Sequence, residues 1–392
     1  MKYLHLMMDN FYSKKFIELI QIYFNTEEHQ FIILRHGNEK KYINPDKYQN
    51  IKLGILSRNK IIRFLTYKYL TIRKLMKQAE YFFIHYLTEE IFGLLFRFNG
   101  KAKIIWVIWG ADLYKYIPIQ LYDQFTLELV NKLDGKIKST LNKFYFFFKY
   151  EIRKSVIKKI DYVISPHKGD VRLLKKFFKT KAEWYSQTIY PNPVDFEKFD
   201  KEVDSIDEKF NFKKKDVKLL LLGNSGFPTN NHLDIMIRLS KMKKQDFEII
   251  CPLSYGFPTY IKKIIEKGKR FFGDRFIPLL DFLNSDIYFN ILKQIDLAIM
   301  YHNRQQGMGN VQILVYLGKP ICMKKTSGFF YLVERSVSVF STQDLERLIL
   351  NEIKFTEVMS KNNEIASHNL YGKSAITSIN SLFKFLEDRS AG

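Results

Sequence analysis

Only two cysteines occur in 392 residues, Cys251 and Cys322, each inside a separate apolar run and without C-x-x-C spacing. They read as small buried residues of a chain in a reducing compartment, which excludes a disulfide framework. Other metal ligands are missing too. No Asp-x-Asp occurs, and no His, Cys and carboxylate cluster has ligand spacing, so no metal or other cofactor is expected. The glycine loop at Gly223 is not followed by the Gly-Lys-Ser/Thr of a Walker A motif, nor does it carry a dinucleotide G-x-G-x-x-G. Long apolar runs are lacking as well. The most apolar stretch, Ile91 to Trp109, is broken by Arg97, Lys101 and Lys103, which argues against a transmembrane helix. The opening Met1 to Met8 is too short for a signal peptide. The expected location is therefore the cytosol, or a membrane reached from its cytosolic side. Acids are scarce beside bases, 41 against 63, for a formal net charge of +22.

What is present is a foldable, aromatic-rich chain. Hydrophobic residues make up 46% of it, too many for a disordered protein, and its length suits two domains with full cores. Strand-like runs at Met1–Met8, Gln30–Leu34, Tyr81–His85, Lys103–Trp109 and Asp161–Ser165 alternate with helical patterns. A polar stretch from Tyr190 to Lys215 reads as a linker. A second series follows at Val217–Gly223, Phe247–Cys251, Phe276–Leu280, Asp296–Met300 and Pro320–Met323. This alternation predicts an α/β fold of two doubly wound Rossmann-like domains, residues 1–200 and 201–392, with the last helix free to return to the first domain. A binding cleft is expected at the carboxyl ends of the strands, where the two domains face each other. Ser285 and Thr342 are expected helix N-caps.

Two junctions in the second half carry the sharpest signal. In the first, the strand ending at Leu222 runs into Gly223-Asn224-Ser225-Gly226, then Asn230, Asn231 and His232, and an apolar helix pattern. In the second, the run ending at Met300 leads through Tyr301-His302-Asn303 into Arg304-Gln305-Gln306-Gly307-Met308-Gly309, and another helix opens. Glycines let the backbone approach a ligand closely, and the first turn of a helix offers unpaired N–H groups and a positive dipole end. Two such junctions in one sheet suit a diphosphate. In the first half, Trp109-Gly110-Ala111-Asp112-Leu113-Tyr114 follows the most apolar strand, and His85 ends the one before. Asp112 and His85 are the candidate general bases, in that order. A helix-starting Asp and a structural His are the plainer readings of the same residues.

The positive charge is concentrated in the first half, in Arg58–Lys77 and Lys136–Lys159, where basic residues interleave with Ile, Leu, Phe and Tyr. These segments admit three readings: solvated helix faces, attachment to an anionic membrane surface, or nucleic-acid binding without a recognised motif.

Ile108-Trp-Gly-Ala-Asp-Leu-Tyr114, Gly223-Asn-Ser-Gly226 with Asn230 and His232, and Arg304-Gln-Gln-Gly-Met-Gly309 together resemble one enzyme family. It is the bacterial TDP-N-acetylfucosamine:lipid II N-acetylfucosaminyltransferases (4-acetamido-4,6-dideoxygalactosyltransferases) of enterobacterial common antigen synthesis. The likeness extends to Tyr190-Pro191, Asp286 with Tyr288, and Asp296, and spans roughly residues 80–325. It implies a GT-B fold and a TDP-sugar donor at Gly223, Asn224, Ser225, Gly226, Asn230, His232, Arg304, Gln305, Gln306, Gly307 and Gly309. It further implies a polyprenyl-diphosphate-linked glycan acceptor near Trp109, Gly110, Asp112 and Tyr114, and a peripheral location on the cytoplasmic face of the inner membrane. Phe227, Pro228, His302 and Asn303 depart from the family pattern, which leaves the sugar more open than the reaction. The alternatives are a UDP- or GDP-sugar transferase for capsule or lipopolysaccharide, and a non-enzymatic nucleic-acid-binding protein. Nucleic acid is not the expected partner.

Overall fold

A computed structural model describes residues 1–36, 42–56, 67–134, 150–191, 208–371 and 375–390. Part of each basic segment and most of the linker fall outside these. The chain separates into two compact units. The first comprises Met1–Ile117, Lys138–Pro191 and Lys373–Gly392; the second comprises Pro118–Ile137 and Asn192–Gly372.

The first unit is built on seven parallel strands: β1 (Tyr3–Met8), β2 (His29–His36), β3 (Ile51–Leu56), β4 (Tyr81–Ile84), β5 (Lys103–Val107), β6 (Tyr162–Ile164) and β7 (Glu183–Tyr185). Their order is β3-β2-β1-β4-β5-β6-β7, so the winding reverses between β1 and β4. All of β4 and the last four residues of β5 are buried, as strands covered by helices on both faces must be. The helix Ala375–Ser390 sends Ile379, Leu382 and Leu386 into the core cluster that holds Tyr3, Phe83 and Ile105. Tyr81 and Tyr185 bury their rings there and donate their hydroxyls to the carbonyls of Leu386 (3.0 Å) and Ser378 (2.9 Å), the usual requirement of a buried tyrosine.

The second unit carries six parallel strands: β8 (Lys218–Leu222), β9 (Phe247–Pro252), β10 (Phe276–Leu279), β11 (Leu297–Met300), β12 (Ile321–Met323) and β13 (Phe340–Ser341). Their order is β10-β9-β8-β11-β12-β13, with the reversal between β8 and β11. Leu221 pairs with Ala298 and Leu222 with Ile299, so the loops that leave these two strands start side by side. In open α/β sheets such a switch point is where ligands bind.

Two capping assignments differ from the sequence reading. Asn284, not Ser285, caps the helix Ser285–Gln294 by accepting the Ile287 N–H at 2.8 Å. Ser341, not Thr342, accepts the Gln343 N–H at the start of the helical turn Thr342–Asp344. In each case the preceding residue has the extended backbone a cap needs. Cys251 and Cys322 are free and buried. Among the described residues, no helix is long and apolar enough to cross a membrane.

Candidate functional site

The two loops singled out in the sequence meet at the β8–β11 switch point. Gly223 continues the ladder, its N–H donating to the Ile299 carbonyl at 3.0 Å, and then turns at φ 69°. A Cβ there would lie 2.6 Å from Asn230 Oδ1 and 3.1 Å from His232 Nε2, so glycine is required by space as well as by conformation. Asn230 is fully buried and staples the loop. Its Nδ2 donates to the carbonyls of Ser225 (2.9 Å) and Phe227 (3.0 Å), while its Oδ1 accepts the Asn224 N–H at 2.9 Å. The same oxygen lies 2.8 Å from His302 Nε2, which must therefore carry the proton. Burial, reinforced by the charges of Arg304 and Lys324, lowers His302 to about 3, so its ring is neutral.

Gln306 ties the second loop to the first. Its Nε2 donates to Asn224 Oδ1 at 3.2 Å and its Oε1 accepts from Thr229 Oγ1 at 2.6 Å. Gly307 turns at φ 67° and precedes the helix Met308–Tyr316 without any side-chain cap, which leaves first-turn N–H groups, including that of Gly309, open at the site. Arg304 and Gln305 are half-buried on the same loop, with Arg304 Nη1 donating to the Gln305 carbonyl at 3.2 Å. Farther along, Gly226 and Gly256 approach as a bridge, Gly226 N–H donating to the Tyr255 carbonyl at 2.7 Å. Beside it opens a cavity of about 440 Å³, lined by Leu253, Ser254, Tyr255, Gly256 and Lys262 among others.

His232 lies fully buried beneath the loop, with Nδ1 3.3 Å from the Tyr260 hydroxyl and Nε2 without a partner. Burial lowers it to about 3. It can supply a neutral N–H but no positive charge. Asn231 does not cap the following helix with its side chain. It accepts the Asp123 N–H at 2.8 Å and donates to the carbonyls of Leu121 and Tyr301.

Asp123 is a residue the sequence did not single out. It accepts from Asn303 Nδ2 at 2.8 Å and pairs with Lys324, whose Nζ also reaches Asn303 Oδ1 at 2.7 Å. Asp234 completes this attachment: its two oxygens accept the Phe125 and Thr126 N–H groups at 2.9 Å each, capping the helix Gln124–Asp134. Asp123 lies 108 positions before Asn231, 180 before Asn303 and 201 before Lys324, and no local pattern announces such contacts.

In the first unit, the two candidate bases are both buried and hydrogen-bonded. Asp112 is 1% exposed. Its Oδ2 accepts Trp106 Nε1 (2.8 Å) and Leu87 N–H (3.2 Å), and its Oδ1 accepts Trp109 N–H (3.0 Å). Burial raises its pKa and these hydrogen bonds oppose the rise. Gly110, at φ 90°, starts the short helix Ala111–Tyr114, and Tyr114 donates to Asp170 Oδ1 at 2.6 Å. Trp109 is half-buried against the Tyr190 ring, with centroids 4.6 Å apart.

His85 has both ring nitrogens occupied: Nε2 lies 3.0 Å from His5 Nδ1, and Nδ1 pairs with the Tyr190 hydroxyl. His5 Nε2 lies 2.9 Å from His29 Nδ1. Each link needs one donor, so the three rings hold their protons in a single direction along the row. Burial lowers His85 to about 3 and His29 to about 4, and pushes His5 well below the ordinary histidine value. His85 thus has no nitrogen left for an acceptor hydroxyl.

Two Rossmann-like sheets, the second with a loop site at its switch point, make a GT-B-type fold. Solved structures agree over nearly the whole chain. A glycosyltransferase from Rickettsia africae is 15% identical with a TM-score of 0.59, covering 98% of this chain and 97% of that one. Anabaena HepE in complex with UDP and glucose is 13% identical with a TM-score of 0.62, covering 99% of each. Sucrose-phosphate synthase from Thermosynechococcus elongatus is 10% identical with a TM-score of 0.63, covering 99% of this chain and 100% of that one. Residues 134–374 match the model of a family described as 4-alpha-L-fucosyltransferase, glycosyltransferase group 56. The chain belongs to this family, as the motif resemblance implied. It is an enzyme, not the non-enzymatic binding protein that its basic charge also admitted.

Proposed function

We propose that the second unit binds the diphosphate of a nucleotide-sugar donor over the joined β8 and β11 loops. The enzyme would transfer a deoxy-acetamido sugar of the N-acetylfucosamine type from TDP to a polyprenyl-diphosphate-linked glycan. The observation that carries this reading is the stitching of the two glycine loops by Gln306, Asn224, Thr229, Asn230 and His302 beneath an uncapped helix start. In the transfer, the bond from the sugar's anomeric carbon to the diphosphate breaks and a bond to an acceptor hydroxyl oxygen forms, the hydroxyl proton passing to the departing diphosphate or to solvent. Negative charge collects on the departing diphosphate. Arg304 and the first-turn N–H groups of the helix Met308–Tyr316 would take it up, with Gly223 to Gly226 letting the backbone approach.

The first unit is assigned the acceptor. Asp112 and His85 act there as positioning residues that hold the loops after β5 and β4. Exposed Lys74 and Lys77 on the helix Tyr67–Gln78 support attachment to an anionic inner-membrane surface. A UDP donor is the second reading, because the similar fold of HepE holds UDP and glucose.

A thermal-shift panel with TDP, UDP and GDP separates these readings. A ligand at a hundred times its Kd adds about 2.7 kcal/mol and raises the midpoint by a few degrees. Stabilisation by TDP above the others is expected; a larger shift with UDP moves the assignment to that donor. Arg304→Ala should lower turnover by about a hundredfold or more with the fold intact. Unchanged turnover would remove Arg304 from the mechanism.

A further inference from the structure

Arg153, on the helical residues 150–157, is fully buried in the first unit. Its guanidinium donates through Nη2 to the peptide carbonyl of Asp112, while Nε and Nη1 have no acceptor. Aromatic rings surround it: Tyr116 at 3.6 Å, Phe92 at 5.0 Å and Trp106 at 5.7 Å. Burial lowers its pKa only to about 10, so it remains a cation at neutral pH. Ring faces offset part of the desolvation of such a charge, but they fill no N–H. An arginine serving the fold alone is expected to be matched to a carboxylate or a set of carbonyls. Here two of three nitrogens await a partner.

The position is also telling. Arg153 lies under the start of the helix Ala111–Tyr114, at the carboxyl ends of β4 and β5, the edge of an α/β sheet where ligands bind. Tyr86, just past β4, holds φ 132°, a conformation rarely kept by a non-glycine residue without a local constraint. The half-buried ring of Tyr116 covers the guanidinium, and its hydroxyl donates to Glu89 Oε1 at 3.2 Å. Glu89 is partly open to solvent, its side chain 33% exposed.

We infer that Arg153 is an anion-binding residue of the first unit, covered in this structure by Tyr116, and that its ligand is a phosphate group of the acceptor. The choice of the acceptor's phosphate rests on the functional reading above; the anion site itself does not. A phosphate oxygen supplies the acceptor that Nε or Nη1 lacks. Tyr116 swings off as it enters, giving up the hydrogen bond to Glu89.

Calorimetric titration with inorganic pyrophosphate, with saturating TDP present, tests the assignment. The wild-type protein should retain one pyrophosphate site after TDP has filled the other, and Arg153→Met should weaken it at least tenfold. Tyr116→Phe, which removes the latch to Glu89 and keeps the ring, should tighten it severalfold. Equal pyrophosphate affinity in wild type and Arg153→Met overturns the proposal. If Arg153→Met does not fold, Tyr116→Phe decides, and unchanged or weaker binding overturns it. Binding of acetate in place of pyrophosphate would overturn the phosphate assignment. Repeating the titration in Arg304→Ala separates the two units. Loss of TDP binding with an Arg153-dependent pyrophosphate site retained would count against the donor reading alone.

Discussion

The buried histidine row makes the first unit acid-sensitive in a way that can be calculated. His5, His29 and His85 are neutral in the folded unit, with His29 near 4, His85 near 3 and His5 well below its ordinary value. In the unfolded chain each titrates near 6.5. Above that pH neither state binds the proton and the full stability is present. Below it, unfolding takes up one proton per histidine, and stability falls until the pH reaches the folded values. The loss is about 1.4 kcal/mol per pH unit for each histidine, or about 2 kcal/mol each and roughly 6 kcal/mol together near pH 5. That rivals the roughly 5–15 kcal/mol that holds a typical domain. The prediction needs only that the folded values lie below the working pH, not what they are. All three tryptophans, Trp106, Trp109 and Trp184, lie in the first unit, so their fluorescence reads its unfolding selectively. With a urea slope of about 2 kcal/mol/M, the midpoint should drop by about 3 M between about pH 7.5 and pH 5. His29→Gln should remove about a third of that dependence. A midpoint shift worth less than one proton would refute the reasoning.

Two further substitutions probe the second unit. Asn230→Ala leaves the Asn224 N–H, the His302 Nε2–H and two carbonyls without their partner, which should cost about 3 kcal/mol. It should also weaken nucleotide binding at least tenfold, as read by calorimetry and by hydrogen exchange of the loop amides; unaltered exchange would contradict the stapling role. Asp234→Ala uncaps the helix Gln124–Asp134 at a cost of about 1 kcal/mol. The effect should appear as faster exchange of the Phe125 and Thr126 amides, and retained protection there would count against the cap.

Much of the architecture was legible because parallel strands covered on both faces leave a plain trace. Ile104 to Val107 and Leu219 to Leu222 are continuous apolar runs, and each is buried in full. Strands β3 and β7, and the two-residue β13, escaped notice. Ile51–Leu56 carries Lys52 and Gly54, and β7 has only three residues, Glu183 among them, so neither shows the apolar run of a central strand. The glycine loops were legible for a similar reason: Gly223 and Gly307 hold positive φ, which few other residues adopt. The roles within those loops were not. Asn230 and His232 read as ligand contacts, yet both are buried, as is His302 beside them, because a turn this tight must satisfy its own backbone before it can meet a substrate.

The sequence by itself determined the alternation of strand and helix, the two glycine junctions, the family and the absence of long apolar spans. These depend on periodicity, backbone permission and local residue order, which are properties of neighbours along the chain. Tertiary structure alone decided which polar groups remain available. It brought Asp123 to Asn303 and Lys324, joined His5, His29, His85 and Tyr190 into one row, and buried Asp112 among three hydrogen-bond donors. It also left Arg153 with two open nitrogens under a tyrosine ring. The physical reason is that hydrogen-bond satisfaction and desolvation depend on what surrounds a group in space, and the residues that supply those surroundings lie from a few to more than two hundred positions away.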